Sequence, residues 1–215
     1  MNLEEKSQMF KDKYNLTEDQ NSFLVKKLFE DIVYCCIQFE GSRLTFPETK
    51  TLLDGFNIPN ANYDDIKNVL NIHVALKYIN STINEPFSTD CVCKINEIVA
   101  DKANIAFGSD ITIEIIKNKI EELKNLKMST TEKALTYFLW SMRSNIFENR
   151  NISTSLLCVN KLMIIEGKGI VVIPSNKIKE FLDLMHVYIE TNERARIMEF
   201  LYKTSVRGID FPQTT

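Results

Sequence analysis

Glycine and proline are scarce in this sequence, with six and five among 215 residues. So few chain breakers exclude a turn-rich all-β architecture and suit a mostly helical chain. Long hydrophobic runs are missing as well, and no apolar stretch reaches the ~18 residues that a membrane-spanning helix needs. The N-terminal MNLEEKSQMFKDK is charged and has no apolar core, so it does not read as a secretory signal. An excess of one charge is lacking: the net charge is −3, with both signs mixed along the chain. That argues against a dedicated nucleic-acid or anionic-membrane surface. The five cysteines are odd in number and include the adjacent Cys35 and Cys36. A disulfide framework is not expected, and a reducing cytoplasm is the simpler setting. His73 and His186 are the only histidines, and both read as structural.

What is present is enough apolar material, 44% of the residues, to bury the core of one domain. The expected organisation is a flexible segment over 1–16, a single domain over 17–205 and a flexible tail over 206–215. Thr17-Glu-Asp-Gln20 fits a capping box and opens a helix to about Phe39, with Phe23, Leu24, Leu28, Ile32, Cys35 and Cys36 inward. Thr45-Phe-Pro-Glu48 opens a second. A third runs from Asp64 to about Ser81 on a stripe of Ile66, Val69, Leu70, Val74 and Ile79, and Ser88 caps a fourth. The Gly108-Ser-Asp turn between short β-prone pieces suggests a small hairpin over 103–113. A charged helix follows over 116–126.

Ser129-Thr-Thr-Glu132 fits another capping box. It starts a helix so rich in large apolar residues that it reads as the central buried one. A polar loop near 148–152 follows. Asn151 or Ser153 then caps a second core helix that ends at Gly167-Lys-Gly169. Together they make an antiparallel pair at the core. A short extended piece over 170–174, a helix capped by Ser175 and a last short helix over 193–204 complete the reading.

The junction of the two core helices reads N-I-F-E-N-R-N-I-S-T-S-L from Asn145 to Leu156. It resembles the signature of the Fic (Fido) family, H-P-F-x-(D/E)-G-N-G-R-x-x-R, and matches at Phe147 and Asn151. Three other segments agree in order. F-E-G-S-R-L-T-F-P-E-T from Phe39 resembles the family's I-E-G-S-x-L-T stretch. N-I-H-V-A-L-K-Y-I resembles its N-H-x-x-A-L-x-Y helix. The run from Leu157 to Pro174 follows its apolar helix, glycine turn and extended piece. The resemblance covers about 23–200. It implies a mainly α fold: a Fic-type helical bundle with a small β-hairpin flap and a central helix–loop–helix core. Phe107 to Ile113 is the candidate flap, of normal form or reduced.

Active relatives transfer AMP from ATP, with Mg²⁺, to a hydroxyl of a target protein. Set on their motif, this chain lacks the chemistry. Asn145 stands where a histidine acts as general base, and an amide does not titrate usefully. Arg150 and Ile152 replace the two glycines that let backbone N–H groups approach phosphates. Asn149 replaces the metal-holding acid, with Glu148 one place early. Ser153 and Leu156 replace the phosphate-holding arginines. Of these, Phe147, Glu148, Asn149, Arg150, Asn151 and Ser153 remain as a degenerate nucleotide- or anion-binding set. No intact catalytic residue, resident metal or certain cofactor is expected.

Cys36-x-x-x-Glu40-Gly41 resembles the family's inhibitory (S/T)-x-x-x-E-(G/N) motif. The glutamate's usual partner position is the apolar Leu156. Glu40 is then a helix-end residue near solvent or paired to another cation, with Arg150 as the substitute. The expected function is that of a degenerate Fic protein without AMP transfer, acting through a protein partner, a homodimer being one form of this. The alternatives are a divergent enzyme that transfers a nucleotidyl or phospho group, and a nucleotide-binding module.

Overall fold

A computed structural model describes residues 10–209. Ten α-helices occur among them: α1 Glu18–Lys27, α2 Phe29–Phe39, α3 Phe46–Leu53, α4 Tyr63–Ser81, α5 Thr89–Ala100, α6 Ile113–Asn125, α7 Thr130–Ser144, α8 Asn151–Ile165, α9 Ile178–Thr191 and α10 Ala195–Phe200. The expected first helix is two, because Leu28 (φ −104°, ψ 12°) leaves helical geometry between α1 and α2. The capping boxes at Thr17 and Thr45 are formed, each with its reciprocal glutamine or glutamate. Ser129 accepts from the Glu132 N–H, while the Glu132 side chain is buried.

The centre of the bundle is α8, which packs on α7, α5, α2, α4 and the strand that follows it. Twelve of its fifteen residues are buried, against nine of fifteen in α7, so the second core helix is the more enclosed of the pair. Two of its buried polar residues tie it to neighbouring elements. Asn160 bonds Val171 both ways, through Nδ2 to the carbonyl at 2.9 Å and through Oδ1 from the N–H at 2.8 Å. The Lys161 ammonium bonds the Thr82 carbonyl and its hydroxyl, where α4 ends. A cation there meets the unsatisfied carbonyls of a helix C-terminus.

The small antiparallel sheet joins β1 (Ile170–Val171) to β2 (Val206–Arg207), with Ile170 opposite Arg207 and Val171 opposite Val206. The expected hairpin over 103–113 does not form. Ala106 accepts from the Glu148 N–H at 3.0 Å and the Gly108 N–H donates to Ile146 at 3.2 Å, with Phe107 bridged to Phe147. The segment pairs with the loop after α7 because the Gly108 turn leads directly into Thr112, the cap of α6.

Where residues are described, parts of both end segments are packed. Phe10 is 7% exposed and lies 5.0 Å from the Tyr202 ring. Asp12 accepts from both the backbone and the hydroxyl of Thr131 at 2.8 Å, satisfying a donor at the start of α7. In the expected tail, Val206 is buried in the sheet; residues 1–9 and 210–215 lie outside the described part. In α4, Leu70 (46%) and Val74 (52%) are exposed, and Ile72, Ala75 and Leu76 line the core instead. Phe23 is likewise 54% exposed.

Candidate functional site

The loop between α7 and α8 is held from three sides. At its start Asn145 closes α7 in the left-handed region (φ 46°, ψ 57°). Its exposed amide makes no hydrogen bond among the described residues. A Cβ on Gly108 would lie 2.2 Å from the Asn145 carbonyl oxygen, so only glycine permits this approach. Phe147 is fully buried and stacks on Phe107, 5.7 Å between ring centroids. Asn151 accepts from the Phe147 N–H at 3.2 Å and donates to the Ser141 carbonyl at 3.3 Å, tying the loop to α7. Asn96 on α5 donates to the Asn149 carbonyl at 2.9 Å and to the Thr154 hydroxyl at 3.0 Å.

At the head of α8, Arg150 stands in the left-handed region (φ 57°, ψ 32°), where a side chain costs roughly 1–2 kcal/mol. From there Nη1 donates to Glu40 Oε2 at 2.7 Å and Nη2 to Asn68 Oδ1 at 2.6 Å. Ser153 Oγ, one turn into α8, donates to the other Glu40 oxygen at 2.5 Å. The Glu40 side chain is 14% exposed and that of Arg150 30%. Together these partly solvated, charge-assisted hydrogen bonds of Arg150 contribute about 1.5–3 kcal/mol, enough to offset its backbone strain. Gly41, left-handed at φ +76°, ends α2 and lets Ser42 bond back to Ile37 at 3.1 Å, which fixes Glu40 at the helix end. The carboxylate therefore lies against the N-terminal turn of α8, where unpaired N–H groups and the helix dipole favour an anion. Glu40 and Arg150 form part of the wall of an 820 Å³ cleft beside the 58–62 connection. Burial raises the Cys36 thiol well above its ordinary value, helped by the neighbouring Cys35 and Glu40. It stays neutral and unreactive.

No family model matches the sequence and no curated protein matches it. Solved structures do. A segment of Fic-1 from C. elegans carrying one substitution superposes with a TM-score of 0.76 at 18% identity, over 87% of this chain and 63% of that one. The same segment without it gives 0.71 at 18% identity, over 86% and 65%. A Fic-domain-containing signaling protein from Bacteroides thetaiotaomicron gives 0.66 at 20% identity, over 80% and 76%. This chain has the Fic fold. It spans just under two thirds of the length of the two Fic-1 structures.

Within the Fic fold, the degenerate set divides. Arg150 and Ser153 converge on Glu40. Phe147 and Asn151 are committed to holding the loop. Glu148 is exposed, and its N–H is tied to Ala106. Asn149 offers a neutral amide, and its carbonyl is taken by Asn96. Leu156 is fully buried. These residues do not fit a magnesium–nucleotide in the manner of the family motif. Where the sequence resemblance expects a metal-binding acid stands the neutral Asn149, and where it expects a phosphate-holding arginine stands the buried Leu156. Among the described residues, no group of three or more His, Cys, Asp or Glu could hold a metal ion. Sequence reasoning missed Asn68 and Asn96. Each is a polar residue within an otherwise apolar helix stripe, 8% and 2% exposed, and that placement was the available signal.

Proposed function

We propose that this chain is a non-catalytic Fic-fold protein that acts by binding another protein and does not transfer AMP. The observation that carries the reading is the clamp of Arg150 and Ser153 on Glu40. The chain supplies its own anion to the head of α8, at the place where the fold's active members would hold phosphate. Asn145, which stands at the general-base position, cannot take a proton from an attacking hydroxyl. Loss of the base alone costs roughly 10²–10⁴-fold in rate, and loss of charge-stabilising donors adds a comparable factor. The scaffold around the loop is nevertheless fully tied, by Asn96, Asn151 and the Phe107–Phe147 stack. A rigid fold without the reaction's groups suits recognition of a partner, a second copy of the chain being one form of it.

The experiment is incubation with radiolabelled ATP, Mg²⁺ and a cell lysate. The expected result is no labelled protein above background. Robust labelling that disappears in Asn145→Ala would overturn the proposal in favour of a divergent transferase.

A further inference from the structure

A second cleft, of about 670 Å³, opens over one face of α7 between α6 and the end of α9. Lys119, Arg143 and Arg194 line it, and no carboxylate does. Trp140 and Tyr188 supply aromatic faces: the Lys119 ammonium lies 5.9 Å from the Trp140 ring and the Arg143 guanidinium 5.7 Å from the Tyr188 ring. Thr136 also lines the cleft. It is 9% exposed, and its buried hydroxyl has no hydrogen-bond partner among the described residues.

The cations are only partly engaged. Lys119 pairs with Glu122 at 3.0 Å, a contact open to solvent on the Glu122 side. Such surface pairs are weak and easily exchanged. Arg143 donates one N–H to Asn192 Oδ1, leaving most of its fork free. The Arg194 side chain makes no hydrogen bond or ion pair among the described residues; it acts on Glu132, buried one turn before Thr136, through charge alone. Three like charges converging on one cleft repel each other, and an anion placed between them relieves that repulsion. Arginine forks match phosphate oxygens in pairs, and the volume lies in the range of small-molecule sites.

We propose that this cleft binds a phosphate-bearing small molecule, its phosphates held by Arg143, Arg194 and Lys119. The site is separate from the Glu40–Arg150 clamp and does not depend on the reading of that loop. Trp140 is the only tryptophan in the sequence, so fluorescence excited at its red edge reports this cleft directly.

The test is titration of the whole chain with inorganic pyrophosphate and, in a parallel arm, with ADP, following Trp140 emission. A saturable change with either probe is expected. In the double variant R143A/R194A the midpoint should rise by about tenfold or more, because two charge-assisted contacts are lost. Both arginines are exposed, and an unchanged far-ultraviolet spectrum will verify the fold; K119Q is a milder second variant, with a several-fold rise. Equal midpoints for the two probes assign recognition to phosphate alone, and a tighter ADP midpoint assigns a role to the aromatic faces. Absence of a saturable change with both probes, or a midpoint unmoved in R143A/R194A, would overturn the proposal.

Discussion

Arg150 and Glu40, 110 residues apart in sequence, meet at 2.7 Å at the head of the central helix. The arginine occupies a backbone conformation that favours glycine, and its guanidinium also holds Asn68. The guanidinium thus fixes the Glu40 carboxylate at the head of α8. This interaction also gives the first prediction. Arg150→Ala keeps the left-handed strain and loses both hydrogen bonds, so it should destabilise the fold by about 1.5–3 kcal/mol. Arg150→Gly loses the same bonds but relieves the strain, and should be milder by roughly 1 kcal/mol. Urea unfolding of the three proteins checks the order.

Asn96 should prove structural. Asn96→Ala leaves the Asn149 carbonyl and the Thr154 hydroxyl without their buried donor. The expected cost is about 1–3 kcal/mol. Because the loop depends on Asn96, amide exchange over 147–150 should quicken more than global stability accounts for. Exchange that tracks only the global change would contradict this assignment.

Gly108→Ala places a methyl carbon against the Asn145 carbonyl, which is backbone and cannot swing aside. The paired segment 106–108 must then lift from the loop. Thermal denaturation should show a loss on the order of 1–3 kcal/mol, as overpacking does elsewhere. Ser109→Ala, on the neighbouring exposed position, should be close to neutral and serves as the control.

Glu132 sets a pH dependence. Burial raises its carboxyl above the ordinary value, against the lowering effects of Arg194 and the Phe10 backbone amide. In the window from the unfolded value upward to the folded one, the folded chain holds the extra proton. The stability tied to this group is therefore present below that window and lost as pH rises through the folded pKa. Glu132→Gln removes the dependence, so at neutral pH it should melt higher than the wild type. Below pH ~4 the two should converge. Melting curves across the acid range check the sign.

Much of this architecture could be read from residue order. The boxes at Thr17 and Thr45 and the cap at Ser88 mark helix starts by local hydrogen bonding, which needs no tertiary context. The position of the loop between two apolar helices was legible for the same reason. What failed was long-range. The 103–113 segment carries hairpin-like turn chemistry, yet its strand pairs with residues forty positions away. Apolar spacing placed Leu70 and Val74 inside, while the approach of α5 and α2 to α4 selected Ile72 and Leu76. At the site, the sequence showed which groups were missing but not where the remaining ones would turn. Only the left-handed backbone at Arg150 aims that side chain at Glu40, and α4 brings Asn68 to it.

On the proposed reading the loop lacks the reacting groups, and Glu40 does not merely hold an intact site closed. Radiolabelled AMP transfer by the wild type and by Glu40→Gly, assayed side by side with ATP and Mg²⁺, separates the two. Removing Glu40 frees Arg150 and Ser153 but restores neither a base at Asn145 nor an arginine at Leu156. The predicted result is no labelling above background in either protein. Labelling that appears in Glu40→Gly and is abolished by adding Asn145→Ala would contradict it.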